Sequence, residues 1–148
     1  MADVVSKEKR SEMMAGIRGK NTKPEMIVRR GLHGLGYRFR LHRRDLPGNP
    51  DIVLPKYNAA IFVQGCFWHG HDCHLFRWPK SRENFWRDKI EANSVRDAAA
   101  FVALSREGWR VAQIWECATK GKEKLPHTVL LDRVSEWLHS NQQTAEFP

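Results

Sequence analysis

The sequence has no long hydrophobic run and few cysteines, and each of these features excludes a class of protein. No stretch approaches the roughly 18 consecutive apolar residues of a membrane-spanning helix, and the first ten residues lack the apolar run of a secretory signal. Three cysteines are too few, and odd in number, for a disulfide framework. We therefore expect a cytoplasmic protein without a membrane partner, whose cysteines bind a metal, react or lie in the core.

Acidic residues are also scarce relative to basic ones. There are 17 Asp and Glu against 25 Lys and Arg, a formal net charge of +8 in 148 residues. A chain of this length forms one domain, and a hydrophobic content of 41% supplies a core, so disorder of the whole chain is excluded. Excess positive charge fits solubility alone, or it indicates a polyanionic partner, of which nucleic acid is the commonest.

Hydrophobic periodicity predicts one mixed α/β domain with the order α-α-β-β-β-loop-α-β-α. Helices are expected over 7–17, 21–35, 81–107 and 126–140, and strands over 37–42, 51–54, 59–63 and 109–115. The second and third strands are separated by a short turn and should pair antiparallel. We place an N-terminal arm at 1–20, the folded domain at 21–140 and a polar tail at 141–148.

Cysteine and histidine spacing predicts a metal site. Cys66, His71 and Cys73 form a C-x4-H-x-C pattern, and Cys117 follows the last predicted strand. Three thiolates and an imidazole suit a closed tetrahedral structural zinc site, which would stabilise a loop that has no periodicity of its own. His69 and His74 also lie close in sequence, so the choice of histidine stays open, and buried or free thiols are the alternative.

Asp51 is a candidate catalytic residue because it opens a strand directly after Pro50. A Pro-Asp pair at a strand start, followed by an adjacent strand with polar groups at its end, is the layout of the restriction-endonuclease core, in which an Asp binds Mg²⁺. The alternative is a simple turn residue. Glu25 has a structural explanation as the acid of a capping box with Thr22, and joins a site only if its helix end faces Asp51. His69 could exchange a proton near neutral pH.

Phe67 and Trp68 lie in the cysteine-rich loop, and Trp86 lies at the start of the predicted helix that follows it. Large apolar side chains on a loop made rigid by zinc, next to basic residues, could be wedges inserted between base pairs. Packing in the core is the alternative interpretation, particularly for Trp86.

The segment 65–73, with sequence GCFWHGHDC, resembles the very-short-patch repair (Vsr) DNA mismatch endonucleases. The resemblance extends over about 10–137 and includes the motifs Arg10-Ser11-x-x-Met14, Thr22 to Glu25, Pro47-Gly-x-Pro-Asp51 and Trp115-Glu116-Cys117. It implies a fold of the restriction-endonuclease, PD-(D/E)xK type, a structural zinc, and Mg²⁺-dependent nicking of one strand 5′ of the T in a T:G mismatch. Such mismatches arise when 5-methylcytosine deaminates.

The same resemblance implies roles for individual residues. Asp51 would bind Mg²⁺ directly together with the backbone carbonyl of Val63, Glu25 would act through metal-bound water, and His69 would transfer a proton. Residues that would intercalate beside the mismatch are Phe67, Trp68, Trp86 and, from the arm, Met14. A monomer in the bacterial cytoplasm, associated with the nucleoid and acting with mismatch-repair proteins and a repair polymerase, is also implied.

One departure from the family pattern concerns the end of the second core strand, where Val63-Gln64 stands in place of Thr-His. Loss of the Thr side chain matters little if its carbonyl alone binds the metal. An amide cannot exchange a proton near neutral pH, so Gln64 in the catalytic set would instead hydrogen-bond a water or phosphate.

Two other function classes remain as alternatives. One is a zinc-stabilised module that binds mismatched or distorted DNA with weak or no catalysis. The other is a restriction-type nuclease acting on matched DNA, which should cut both strands and dimerise. Mg²⁺-dependent turnover separates the first from an enzyme, and cleavage of a single strand by a monomer excludes the second.

Overall fold

A computed structural model describes residues 21–148, in which three helices flank a mixed five-stranded sheet. The helices are α1 (Lys23–Gly34), α2 (Glu83–Arg106) and α3 (His127–Leu138), and the strands are β1 (Arg40–Leu41), β2 (Ile52–Leu54), β3 (Ala59–Gln64), β4 (Arg110–Trp115) and β5 (Thr144–Phe147). The predicted N-terminal arm, including its helix over 7–17 and Met14, lies outside the described residues. Between residues 21 and 148, no helix is both long and apolar enough to cross a membrane.

The strands follow each other across the sheet in chain order, β1-β2-β3-β4-β5. The predicted antiparallel pairing of β2 with β3 is confirmed, with Val53 opposite Ala60. Helix α2 carries the chain from β3 to β4, which pairs parallel to β3 over six residues. Strand β4 in turn pairs parallel to β5.

Each face of the sheet is covered by helices, and β3 shows why. Ala59 and Ile61 face the larger core cluster, where α1 and α3 contribute Leu32 and Leu130. Ala60 and Phe62 face the opposite way, toward Leu104 of α2 and its neighbours. Burial on both faces explains the unbroken apolar run of β3, because alternation with polar residues is expected only when one face meets water.

Helix α1 begins where its capping residues predict. The Thr22 hydroxyl accepts a hydrogen bond from the Glu25 N–H, and Pro24 lies in the first turn, where a missing N–H is tolerated. The Glu25 carboxylate does not complete the expected capping box with Thr22. It accepts instead from the N–H of Asn21, at 3.3 Å.

The structure differs from the sequence prediction at two strands. The predicted strand 37–42 pairs only at Arg40 and Leu41, because the positive φ of 47° at His42 ends the extended backbone. The predicted polar tail 141–148 is wrong, since β5 adds to the sheet and Phe147 is buried opposite Ile114. The alternation of Ala145 and Phe147 with polar residues is too short to stand out in the sequence.

Candidate active site

The edge of the sheet where β2 begins and β3 ends opens into a cleft of about 700 Å³. Helix α1 contributes its N-terminus, the loop after β3 contributes its aromatic and histidine side chains, and α2 closes one side. The cleft brings together the four predicted catalytic residues, Glu25, Asp51, Gln64 and His69, and it is also lined by Lys89 and Asn93.

Asp51 is fixed between two strands. Its main-chain N–H donates to the carbonyl of Ile61 at 3.1 Å, and its Oδ2 accepts the N–H of Val63 at 2.7 Å. Burial raises the pKa of Asp51 to about 6, and this outweighs the Val63 hydrogen bond, which lowers it. The nearby Glu25 carboxylate raises the pKa further, because two negative charges in one cleft repel each other.

Glu25 faces Asp51 across the cleft, together with a histidine that the sequence analysis did not single out. Ligand-capable atoms of Glu25, His42 and Asp51 all lie within 4.8 Å of one another. Glu25 is only 1% exposed, and its Oε2 lies 2.8 Å from His42 Nε2 and 3.1 Å from an Arg29 guanidinium nitrogen. The carboxylate is therefore held from two sides.

His69 is oriented by α2. Its Nδ1 lies 2.5 Å from Oδ2 of Asp97, and its main-chain carbonyl accepts from the Ser94 hydroxyl at 3.4 Å. A carboxylate on one ring nitrogen fixes the tautomer and leaves Nε2 for chemistry. Nothing in the sequence pairs Asp97 with His69, since 28 residues separate them and only the fold brings α2 against the loop.

Gln64, at the end of β3, is 4% exposed and forms part of the cleft wall. Its Oε1 is buried and has no hydrogen-bond partner among residues 21–148. Buried amide oxygens are normally paired, so this atom is an acceptor available to a donor that enters the cleft.

The three predicted wedge residues form one aromatic cluster. Ring centroids of Phe67 and Trp68 lie 5.2 Å apart, those of Trp68 and Trp86 5.7 Å apart, and those of Phe67 and Trp86 5.3 Å apart, all with edge-to-face geometry. All three side chains are half-buried. Asn93 of α2 donates to the main-chain carbonyl of Trp68 at 2.8 Å, which anchors the cluster to the helix.

The predicted zinc ligands form a second cluster next to the cleft. Ligand atoms of Cys66, His71, Cys73 and Cys117 all lie within 4.8 Å of one another. Burial raises the pKa of the Cys66 thiol, and it raises that of Cys117 to about 11. Burial also lowers the pKa of His71, which keeps its ring neutral and able to bind a metal.

The other two candidate histidines lie outside this cluster. His69 pairs with Asp97, and His74 Nδ1 lies 3.6 Å from a carboxylate oxygen of Glu123. His71 is further set apart by its ring, which stacks on Trp115 with centroids 4.0 Å apart and an angle of 8° between the planes. The Trp115 indole N–H donates to Glu146 of β5 at 2.8 Å.

Comparison with known proteins identifies the family. The family model described as DNA mismatch endonuclease Vsr matches residues 2–75, a range that contains Glu25, Asp51 and His69. The Type II nicking enzyme V.XorIIP of Xanthomonas oryzae pv. oryzae is 56% identical over 117 residues, which are 79% of this chain and 86% of that protein. The DNA mismatch endonuclease Vsr of Escherichia coli is 42% identical over 146 residues, 99% of this chain and 94% of that protein.

A third relative agrees with these two. The Type II nicking enzyme V.NmeAIP of Neisseria meningitidis is 43% identical over 122 residues, which are 82% of this chain and 87% of that protein. This protein is therefore a DNA endonuclease, and DNA is its partner. Within that class, the chain belongs to the Vsr family of DNA mismatch endonucleases.

Proposed function

We propose that this protein is a Mg²⁺-dependent endonuclease that nicks the T-containing strand 5′ of a T:G mismatch left by deamination of 5-methylcytosine, and so initiates very-short-patch repair. The observation that carries the proposal is the single cleft in which Asp51, Glu25 and the His69–Asp97 pair lie beside the cluster of Phe67, Trp68 and Trp86. A restriction-endonuclease fold of PD-(D/E)xK type is part of the proposal, supported by Asp51 at the start of β2 beside the end of β3.

The donors in the cleft fit Mg²⁺, which prefers oxygen ligands. Asp51 would bind the ion directly with the main-chain carbonyl of Val63, the residue whose N–H already contacts its carboxylate. Glu25 would contribute through a water molecule that is bound to the ion. When bound, Mg²⁺ lowers the pKa of a bound water and neutralises charge that develops on the scissile phosphate.

The protein's own side chains supply the remaining chemistry. His69 Nε2 moves a proton at the attacking or leaving oxygen, while Asp97 holds the ring in place. Gln64 accepts at Oε1 from a water in the cleft, or donates its amide N–H to a water or to a phosphate oxygen. Lys89 and Arg96, which also line the cleft, neutralise the phosphate backbone.

The aromatic cluster would supply mismatch selectivity. Insertion of Phe67, Trp68 and Trp86 beside the mismatch unstacks base pairs, and a wobble pair resists unstacking less than a matched pair, by a few kcal/mol at most. Met14 of the arm would insert from the opposite groove.

The second cluster would hold a structural zinc ion. Three thiolates and one imidazole fit the soft-donor set of closed four-coordinate zinc sites. The ligands must lose their protons to bind, so we expect weaker metal retention at low pH.

A strand-resolved nicking assay tests the proposed function. A duplex labelled on each strand, with one T:G mismatch in varied flanking sequence, is compared with the matched T:A duplex, with and without added Mg²⁺. We expect Mg²⁺-dependent cleavage of the T strand alone. Cleavage of both strands of matched DNA would support a restriction-type nuclease instead.

Asp51→Asn provides the catalytic control for this assay. The variant should bind the mismatched duplex with near wild-type affinity and lose nicking. Asp132→Asn, an exposed carboxylate on α3, is the matched control and should nick normally. Nicking by Asp51→Asn at the wild-type rate would refute the assigned site, and mismatch binding without nicking by any form would favour a binding module.

A further inference from the structure

His42 lies directly after β1 in a left-handed backbone conformation. Its φ of 47° is uncommon for residues other than Gly, and Asn, Asp and His adopt it several-fold more often than other side chains. Such backbone conformations are retained when surrounding contacts require them, and they concentrate at functional sites. The contacts of His42 therefore show what the conformation achieves.

Two hydrogen bonds of His42 join parts of the active site that are distant in sequence. Its main-chain N–H donates to the carbonyl oxygen of Asp51 at 3.0 Å, and its side chain reaches Glu25 at 2.8 Å. An ionised carboxylate can only accept, so Nε2 carries the hydrogen and donates it to Oε2. One residue thus contacts both Asp51 and Glu25, the first through its backbone and the second through its ring.

The other partners of Glu25 belong to its own helix and cap. Arg29 lies one turn further along α1, and Asn21 precedes the helix. These two contacts fix Glu25 relative to α1 alone. His42 is the described residue that ties Glu25 to the β2 side of the cleft, where Asp51 lies.

We propose that His42 is a positioning residue of the active site, which sets the spacing between the Glu25 and Asp51 carboxylates. The inference rests on the proposed roles of these two residues at the catalytic cation. Groups that orient the first shell of a metal ion affect how tightly the ion binds, and loss of such a group typically lowers metal affinity roughly 10-fold or more. His42 would act through Glu25, without contact to the DNA or the ion.

Three substitutions separate the hydrogen bond from the backbone conformation. His42→Ala removes the hydrogen-bond donor to Glu25 and introduces a side chain that disfavours positive φ. His42→Asn suits the left-handed region, but its amide is too short to reach Glu25. His42→Gln carries an amide N–H at about the reach of Nε2. His33→Ala, an exposed histidine in the last turn of α1, is the matched control.

The test measures two quantities on the full-length, zinc-loaded proteins. One is the dissociation constant for Mn²⁺ without DNA, followed by electron paramagnetic resonance. The other is the Mg²⁺ concentration that gives half-maximal single-turnover nicking. We expect His42→Ala and His42→Asn to raise the Mn²⁺ dissociation constant and the half-maximal Mg²⁺ concentration by about 10-fold each. Both quantities should stay within about threefold of wild type in His42→Gln and His33→Ala.

Zinc content and thermal midpoint show whether each variant is folded. If His42→Ala does not fold, the values for His42→Asn decide the test. Folded His42→Asn protein with wild-type Mn²⁺ and Mg²⁺ values would overturn the proposal, as would the absence of saturable Mn²⁺ binding to the wild type. Failure of the proposed function would give a different result. Either Asp51→Asn would still nick the mismatched duplex, or the wild type would not nick it.

Discussion

The buried charge of Asp51 predicts that removing it stabilises the protein in the absence of added Mg²⁺. Its pKa is about 6 in the folded protein, against an ordinary value of 3.8, because the cleft excludes water from the carboxylate. Each pKa unit corresponds to about 1.4 kcal/mol, so full ionisation lowers the free energy of unfolding by roughly 3 kcal/mol relative to the protonated form.

The sign follows from the direction of the shift. A folded-state pKa above the unfolded value means that the stability contributed by protonated Asp51 is fully present below about pH 4 and is lost as the pH rises through 6. Asp51→Asn has no charge to bury, and its side-chain oxygen still accepts the Val63 N–H. The free energy of unfolding of the variant should therefore exceed that of the wild type by about 3 kcal/mol at pH 7 and by roughly half as much at pH 5.

Thermal unfolding of both proteins from pH 5 to pH 8 measures this difference. At pH 7 the variant should unfold about 6–12 °C higher than the wild type, and added Mg²⁺ should narrow the gap by stabilising the wild type alone. Any pH-dependent loss of zinc affects both proteins and drops out of the comparison. Equal midpoints at pH 7, or a gap that does not change between pH 5 and pH 7, would refute the argument.

Three further substitutions test other parts of the site. Cys117→Ser should lower bound zinc to well below one ion per chain and lower the thermal midpoint; unchanged metal content would remove Cys117 from the ligand set. Trp68→Ala should reduce the ratio of T:G to T:A duplex affinity, whereas an unchanged ratio would assign the side chain to packing. Asp97→Asn should slow nicking 10-fold or more at unchanged affinity for the mismatched duplex, because the His69 ring loses the carboxylate that orients it. Nicking by the variant at the wild-type rate would argue against a role for the pair.

Much of the fold was predictable because its elements are long and periodic. Thr22 and Pro24 fix the start of α1, and the apolar run of β3 identifies a strand buried on both faces. Short elements were harder to predict from the sequence. The four residues of β5 carry too little periodicity to be recognised, and Phe147 is buried only because β4 offers Ile114 beside it.

In the active site, too, residues with a local sequence signal were predictable and residues placed only by the fold were not. Candidate metal ligands close in sequence, such as Cys66 and His71, can be recognised by their spacing, and Asp51 can be recognised by the proline before it. His42 and Asp97 could not, because each acts on a residue 17 or 28 positions away, and only the fold brings the pairs together. In the predicted strand 37–42, His42 alternates with apolar residues in the same way as Arg38 and Arg40, so alternation alone does not distinguish it from these arginines.

The loop between Cys66 and His71 serves two sites at once, so its length is constrained. Both of its ends belong to the cysteine–histidine cluster, and its interior carries Phe67, Trp68 and His69 toward the cleft. An inserted or deleted residue would displace a cysteine or histidine from the cluster and His69 from Asp97 in the same event. The length of this loop is therefore constrained from two directions, by the spacing of the Cys66 and His71 ligand atoms and by the contact between His69 and Asp97.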